Sequence, residues 1–293
     1  MSLHAWFAAT ILLSAPAAAE PEPLSLAGTW LFALDRNDRG IADGWFNREL
    51  QQRISLPGAL QAQGFGDVPS VDTAWTGDIV DRSWFTDPRM AKYRRPGNIK
   101  VPFWLQPEKH YVGAAWYGRE IEIPAAWQGK RVTLYLERPH WETRVWLDGR
   151  ELGRRDSLAT PHVYELGTSL AAGKHRISIR VDNRMIVEVG VNAHSVTDHT
   201  QSNWNGVVGR IELRATDPVW IEQVDVYPNP AGKKPKLVVR VGNATGRGGR
   251  CLLTYAYLGG GGVCSFDLEP TGWTYRGDLP FGDDRRTRDE FRP

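Results

Sequence analysis

Thr143-Arg144-Val145-Trp146-Leu147-Asp148-Gly149-Arg150-Glu151-Leu152 sets an Asp-Gly pair between two short runs of strand-forming residues. Asp-Gly suits a two-residue loop whose central residues both take positive φ, so the stretch predicts an antiparallel hairpin with strands 143–147 and 150–152. The same signature continues on both sides. Ile121 and Ile123 alternate with Glu120 and Glu122. Val132, Leu134 and Leu136 alternate with Thr133 and Tyr135, and Ile177, Ile179 and Val181 with Ser178 and Arg180. Successive strand side chains point to opposite faces, so each set lines one face with aliphatics. Ala172-Gly173-Lys174 punctuates another strand entry. No amphipathic stretch longer than about two helical turns interrupts 24–217, which predicts an all-β chain and a β-sandwich of jelly-roll type.

Composition narrows the function. The 293 residues include 36 Lys+Arg and 34 Asp+Glu, a formal charge of +2, so the basic field that duplex nucleic-acid binding needs is missing. Hydrophobic residues at 41% and charged residues at 24% describe a globular chain, not a disordered one. The 30 Gly and 19 Pro follow no three-residue period, which excludes collagen. With 13 Trp and only 3 Met, so many turn-formers suit short strands. No apolar run reaches the ~18 residues of a membrane span. At the start, Ala5 to Leu13 is apolar, Pro16 breaks the run, and Ala17-Ala18-Ala19 precedes Glu20. This is a secretory-signal pattern cut after Ala19, and it predicts an exported protein, periplasmic or extracellular.

Cys251 and Cys264 lie in a Gly-rich stretch without a CxxC, so no structural zinc site is expected, and spacing alone does not decide whether they pair. His194 and His199 lack a third ligand at a sensible spacing. No metal or cofactor is assigned. The long, weakly periodic region between Trp30 and Tyr117 holds Trp45, Trp75, Trp84, Trp104 and Trp116. Insertions of this kind are functional or disordered, and the aromatic content argues against disorder. Most of these rings are expected to cap the sandwich as a satellite core. Asp217-Pro218 marks a boundary, followed by strands at 220–227 and 236–241 around Pro228-Asn229-Pro230. After Gly246 the pattern decays into Gly and Arg. The glycine run at 259–262 has no Lys-Ser/Thr after it and is no phosphate loop. Residues 218–293 fall short of the ~100 residues of a β-sandwich domain, so an incomplete second domain is expected.

The order of these motifs resembles the N-terminal half of glycoside hydrolase family 2, the β-galactosidases and β-glucuronidases. The likeness covers about 24–230. It is carried by Leu26-Ala27-Gly28-Thr29-Trp30-Leu31-Phe32, Leu56-Pro57-Gly58-Ala59-Leu60 and Ala115-Trp116-Tyr117 with Ile121-Glu122-Ile123-Pro124. Val145-Trp146-Leu147-Asp148-Gly149-Arg150, Thr160-Pro161 through Val181-Asp182-Asn183, and Trp204-Asn205-Gly206-Val207-Val208-Gly209-Arg210-Ile211-Glu212-Leu213 complete it. Gly282-Asp283-Asp284 and Asp289-Glu290-Phe291-Arg292-Pro293 look like the end of the family's second domain, while Cys251–Gly272 does not resemble that domain. The resemblance implies a galactose-binding-like jelly roll at 24–217 followed by an incomplete immunoglobulin-like sandwich at 218–293, after the leader that the N-terminal pattern places at 1–19.

The resemblance also sets what chemistry to expect. Glycoside hydrolysis needs two carboxyls flanking the scissile bond, one protonated and one ionised. In the family both glutamates stand on a (β/α)₈ barrel of roughly 250 residues that follows the β domains. Neither an alternating strand–helix pattern nor an Asn-Glu dipeptide, the family's acid/base signature, occurs here. Glu142, Glu151, Glu165 and Glu188 are the carboxylates that could form a pair, and on strand surfaces they are expected to be solvated. No catalytic residue is assigned.

The sandwich is expected to contribute sugar recognition at the barrel mouth, as a fragment of an exo-acting hydrolase inactive alone. The partners implied are a β-linked glycan or oligosaccharide and a barrel in the same polypeptide. A free-standing exported carbohydrate-binding module is the alternative. Asn98, in Asn98-Ile99-Lys100-Val101-Pro102, matches the loop whose Asn contacts the terminal sugar. Asp198, His199, Gln201, Asn203, Trp204 and Asn205 occupy the region where the family places a sugar-binding Asp. Carboxylates and amides suit paired hydroxyls, and an indole suits the apolar face of a sugar ring. For Asp198, sugar binding and loop support both stand open. Asn203 and Asn205 could equally satisfy turn backbone, and Trp204 is expected in the core.

Overall fold

A computed structural model of the chain describes residues 20–190, 193–194, 196–227, 236–257 and 260–278. The leader pattern, the turn at 228–230 and the 279–293 tail lie outside the described residues, as does the side chain of Gln201. In chain order the strands are β1 (Leu24–Ser25), β2 (Gly28–Asp35), β3 (Gln52–Leu56), β4 (Gly58–Ala59), β5 (Ala114–Ile123), β6 (Arg131–His140), β7 (Glu142–Leu147) and β8 (Arg150–Arg155). They continue with β9 (His162–Gly167), β10 (Gly173–Asp182), β11 (Gly206–Thr216), β12 (Val219–Tyr227), β13 (Lys236–Asn243), β14 (Gly249–Tyr257), β15 (Gly260–Leu268) and β16 (Trp273–Asp278). The α-helices described, α1 (Ser83–Thr86) and α2 (Asp198–Gln201), are single turns. The chain is all-β.

Two antiparallel sheets form the main sandwich. One has the order β3-β2-β5-β10-β7-β8; the other runs β1-β11-β6-β9, with β4 also on β11. The hairpin that the Asp-Gly pair predicts is present. Leu147 faces Arg150 across a two-residue loop, with Asp148 at φ 49° and Gly149 at φ 80°. The alternating aliphatics meet between the sheets: Ile121, Ile123, Val132, Leu134, Leu136, Val145, Ile177, Ile179 and Val181 share one core with Trp30, Phe32, Tyr117 and Tyr164. Burying a large apolar side chain stabilises the fold by roughly 1.5–3 kcal/mol, so this face carries most of the sandwich's stability.

The outward face of β5, β10 and β7 is covered as well. Trp116 and Trp146 pack there with Leu50, and the 45–50 segment lays Trp45 and Phe46 over them. The 30–117 insertion supplies a further cluster of Ile79, Trp84, Val101 and Phe103, with Trp75 and Ile99 against it. Trp104 departs from the satellite-core expectation, because its side chain is 87% exposed.

Beyond Asp217, β12, β13 and β16 form one sheet, and β14 and β15 pair as a separate hairpin. The decay expected after Gly246 does not occur. Cys251, Leu253 and Tyr255 on β14, and Cys264, Phe266 and Leu268 on β15, point at Leu237, Val239 and Val241 of β13, while Leu252 and Val263 point outward. The outward-facing apolar Leu252 and Val263, together with the glycine run at 259–262, concealed this period-2 pattern. Cys251 lies opposite Phe266 and Cys264 opposite Leu253, so the two cysteines are offset in register, and both thiols are free.

Candidate functional site

The sequence-derived candidates gather, apart from Asn98, at the junction before β11. Thr197 caps α2 in an extended conformation, and α2 turns Asp198 inward, where it is fully buried. Its Oδ2 accepts the Thr76 amide at 2.7 Å and lies 3.1 Å from His110 Nε2, while Oδ1 accepts the Asn203 amide at 2.9 Å. One carboxylate thereby joins three loops that are distant in sequence. Charge-assisted hydrogen bonds of this kind are roughly twice as strong as neutral ones.

Asn203 and Asn205 extend the network. The Asn203 amide donates to Thr76 Oγ1 and to the Asn183 carbonyl, both at 2.9 Å, and its oxygen accepts from Asn183 Nδ2. Asn205 donates to the Gly113 and Val181 carbonyls and accepts the Tyr117 hydroxyl at 2.8 Å. These buried amides hold loop backbone. Sequence reading had no signal for Thr76, His110 and Asn183, the partners of Asp198 and Asn203 that stand 20 or more residues away in sequence and come close only on folding.

Trp204 is half-buried and stacks on His140, with ring centroids 4.9 Å apart and planes at 25°. Burial pushes the His140 imidazole down to about 4, against an opposing hydrogen bond from Asn203. His199 is half-buried beside Phe103, and its carbonyl faces the Trp104 amide at 3.5 Å. Asn98 stands apart from the knot. It is exposed after the 3₁₀ segment Pro88–Arg94, and its Nδ2 donates to the Lys92 carbonyl at 2.8 Å. It shares the insertion loop with Val101 and Phe103, which anchor that loop in the satellite core. His110 also lines an open cavity of about 220 Å³ with Arg36, Asp67 and Tyr111. A wider cleft of about 700 Å³ beside β2 and Trp45 takes in none of the sequence-derived candidates.

The carboxylates considered for a catalytic pair are held by basic or backbone groups. Glu142 is buried with Arg154 Nε at 2.5 Å and Arg180 Nη1 at 3.4 Å, and Arg144 stands between Glu142 and Glu151. Glu165 bonds Arg131, and Glu188 accepts the Gly190 amide at 2.8 Å. Arg180 also meets Asp38 at 2.6 Å and Asp182 at 2.8 Å. Burial works to raise the Asp182 carboxyl, but the hydrogen bonds from Arg184 and the nearby Arg180 charge hold it below the usual range. Among the described residues no group of three or more His, Cys, Asp or Glu side chains could hold a metal ion, and no helix is long and apolar enough to cross a membrane.

The fold can be set beside known proteins, and in each the likeness is one of architecture. The chain matches no family model. It is 22% identical over 159 residues to a β-glucuronidase of Paenibacillus borealis, covering 54% of this chain and 20% of that protein. It is 18% identical over 212 residues to the β-galactosidase large subunit of Leuconostoc lactis, covering 70% and 32%. Among solved structures, Bacteroides uniformis β-glucuronidase superposes with a TM-score of 0.57 at 12% identity over 88% of this chain and 27% of that one. Ruminococcus gnavus β-glucuronidase does so with a TM-score of 0.53 at 15% identity, over 91% and 40%. The chain thus shares its fold with part of these two β-glucuronidase structures, and it spans a third or less of the length of the two curated relatives.

Proposed function

We propose that this chain is the saccharide-recognition portion of an exo-acting glycoside hydrolase of the family 2 kind. It would supply one wall of a pocket for a β-linked galactoside or glucuronide, with the acid and the nucleophile standing on a catalytic barrel outside these residues. The observation that carries the reading is the Asp198 knot, which fixes the loops around Thr76, His110 and Asn203 against one another at one end of the sandwich. Rigid loops on a rigid scaffold are the usual form of a binding site. Further support comes from the fold shared with β-glucuronidases and from the arginine-held carboxylates.

In this reading Asn98, His199 and Gln201 offer the sugar hydrogen-bonding groups. Asp198, Asn203 and Asn205 act as positioning residues, and Trp204 braces the loop through His140. The leader pattern at 1–19 adds export to the proposal.

The test is a titration of the purified chain with methyl β-D-galactopyranoside and methyl β-D-glucuronide, alongside assays with the corresponding aryl glycosides. Binding on the order of millimolar, weakened by Asn98→Ala, and no turnover are expected, because half of the pocket wall would be missing. Turnover that disappears when one of the chain's own carboxylates is substituted would overturn the proposal. Micromolar binding by the chain alone would favour a free-standing module.

A further inference from the structure

We infer that Trp104 is an aromatic platform for the apolar face of a pyranose ring, a subsite resting on the reading just given. Every other tryptophan among the described residues is buried or half-buried, whereas Trp104 is 87% exposed. The loop beneath it is not loose. Gln106 accepts the Val101 amide at 3.0 Å and donates to the Val101 carbonyl at 2.6 Å and the Phe103 carbonyl at 3.2 Å. Val101 and Phe103 turn inward to the satellite core, and the Trp104 amide faces the His199 carbonyl. One side-chain amide thus clamps the turn while its tip presents an indole, with Leu105 beside it, to solvent.

The chemistry follows from that clamp. An exposed tryptophan loses water contact only when something covers it, and a preorganised ring gives up little conformational freedom on binding. No ring, cation or hydrogen-bond partner meets the Trp104 side chain among the described residues. Its face is open to the C–H face of a β-pyranoside, and its N–H to a ring hydroxyl. The backbone link to His199 sets this platform against the knot, and the chain of the same loop leads back to Asn98.

The experiment uses the full chain labelled with 5-fluorotryptophan, the Trp104 resonance being assigned by its absence in Trp104→Phe. On titration with methyl β-D-galactopyranoside or methyl β-D-glucuronide, the Trp104 signal should shift saturably. Trp104→Ala should weaken binding about tenfold with an unchanged melting temperature, and Trp104→Phe should keep part of the affinity. If the wild type binds and Asn98→Ala weakens it, but the Trp104 signal and the Trp104→Ala affinity do not change, the platform is wrong and the broader reading stands. If neither sugar binds the wild type, both fail. A change of oligomeric state in Trp104→Ala during sedimentation would assign the indole to a protein contact and overturn the inference.

Discussion

Thr76 and Asp198 bond each other twice. The Asp198 carboxylate accepts the Thr76 amide at 2.7 Å, and the Thr76 carbonyl accepts the Asp198 amide at 2.9 Å, across 122 residues of chain. This staple closes a very long loop through charge-assisted and backbone bonds together, and His110 and Asn203 take the remaining reach of the same carboxylate. A site built on these loops inherits its geometry from that one side chain.

Asp198→Ala leaves the Thr76 and Asn203 amides without their acceptor in a buried place. Unsatisfied buried donors cost roughly 1–3 kcal/mol each, so a loss of about 3 kcal/mol is expected in urea unfolding, with faster exchange of the Thr76 amide. Asn98→Ala, which removes one exposed contact to Lys92, should remain within about 0.5 kcal/mol of the wild type. Equal stability of the two variants would show that Asp198 holds nothing.

His140 makes stability depend on mildly acid pH. Its ring titrates at about 4 in the folded chain because burial disfavours the charged form, against about 6.5 when unfolded. The folded state therefore binds this proton more weakly than the unfolded state does. The contribution is complete above about pH 7 and is lost as the pH falls from 6.5 through 4, on the order of 3 kcal/mol in all. His140→Gln should flatten the fall in unfolding free energy between pH 7 and 4.5. Proton NMR of the wild-type ring should show no titration near 6.5.

The arginine-held carboxylates act at lower pH. The Asp182 carboxyl is held below its ordinary value, so its contribution is present above about pH 4 and disappears as the pH drops through the folded value. Asp182→Asn should lose about 3 kcal/mol at pH 7, since it leaves Arg180 and Arg184 short of a buried partner. Below pH 4 the variant's further loss should be smaller than that of the wild type. Parallel acid-unfolding curves for the two proteins would contradict this.

Gly149→Ala strains the hairpin that organises β7 and β8. The residue sits at φ +80°, and a Cβ there would meet Asn47 Oδ1 at 2.4 Å. The backbone penalty alone is about 1 kcal/mol, and Asn47 must also move. A drop in melting temperature of several degrees is expected, whereas Gly129→Ala, at φ +76° with nothing near its Cβ, should show the backbone penalty alone.

Much of the sandwich was legible because its signal is local. Val132, Leu134 and Leu136, and Ile177, Ile179 and Val181, alternate in the chain and face one core in the fold. The β14–β15 hairpin was missed because Leu252 and Val263, apolar yet outward-facing, blur the alternation of Cys251, Leu253 and Tyr255 and of Cys264, Phe266 and Leu268, and because glycines fill the stretch at 259–262. The insertion gave no hint that Trp84 is buried while Trp104 is exposed, since neither lies in a periodic segment. For Asp198 the sequence left a ligand role and a loop-support role open. The partners that occupy its carboxylate are Thr76, His110 and Asn203, two of them remote in sequence.

The sequence by itself determined that this chain folds as stacked antiparallel sheets, because strand alternation and the Asp148-Gly149 turn are properties of the nearest few residues. Only the tertiary structure decided which polar side chains serve the protein and which face outward. A buried carboxylate takes whichever donors packing brings within 3 Å, and here those donors come from loops about 90 and 120 residues away in the chain. Trp104 faces water for the complementary reason: the core beneath its loop is already filled by Val101 and Phe103.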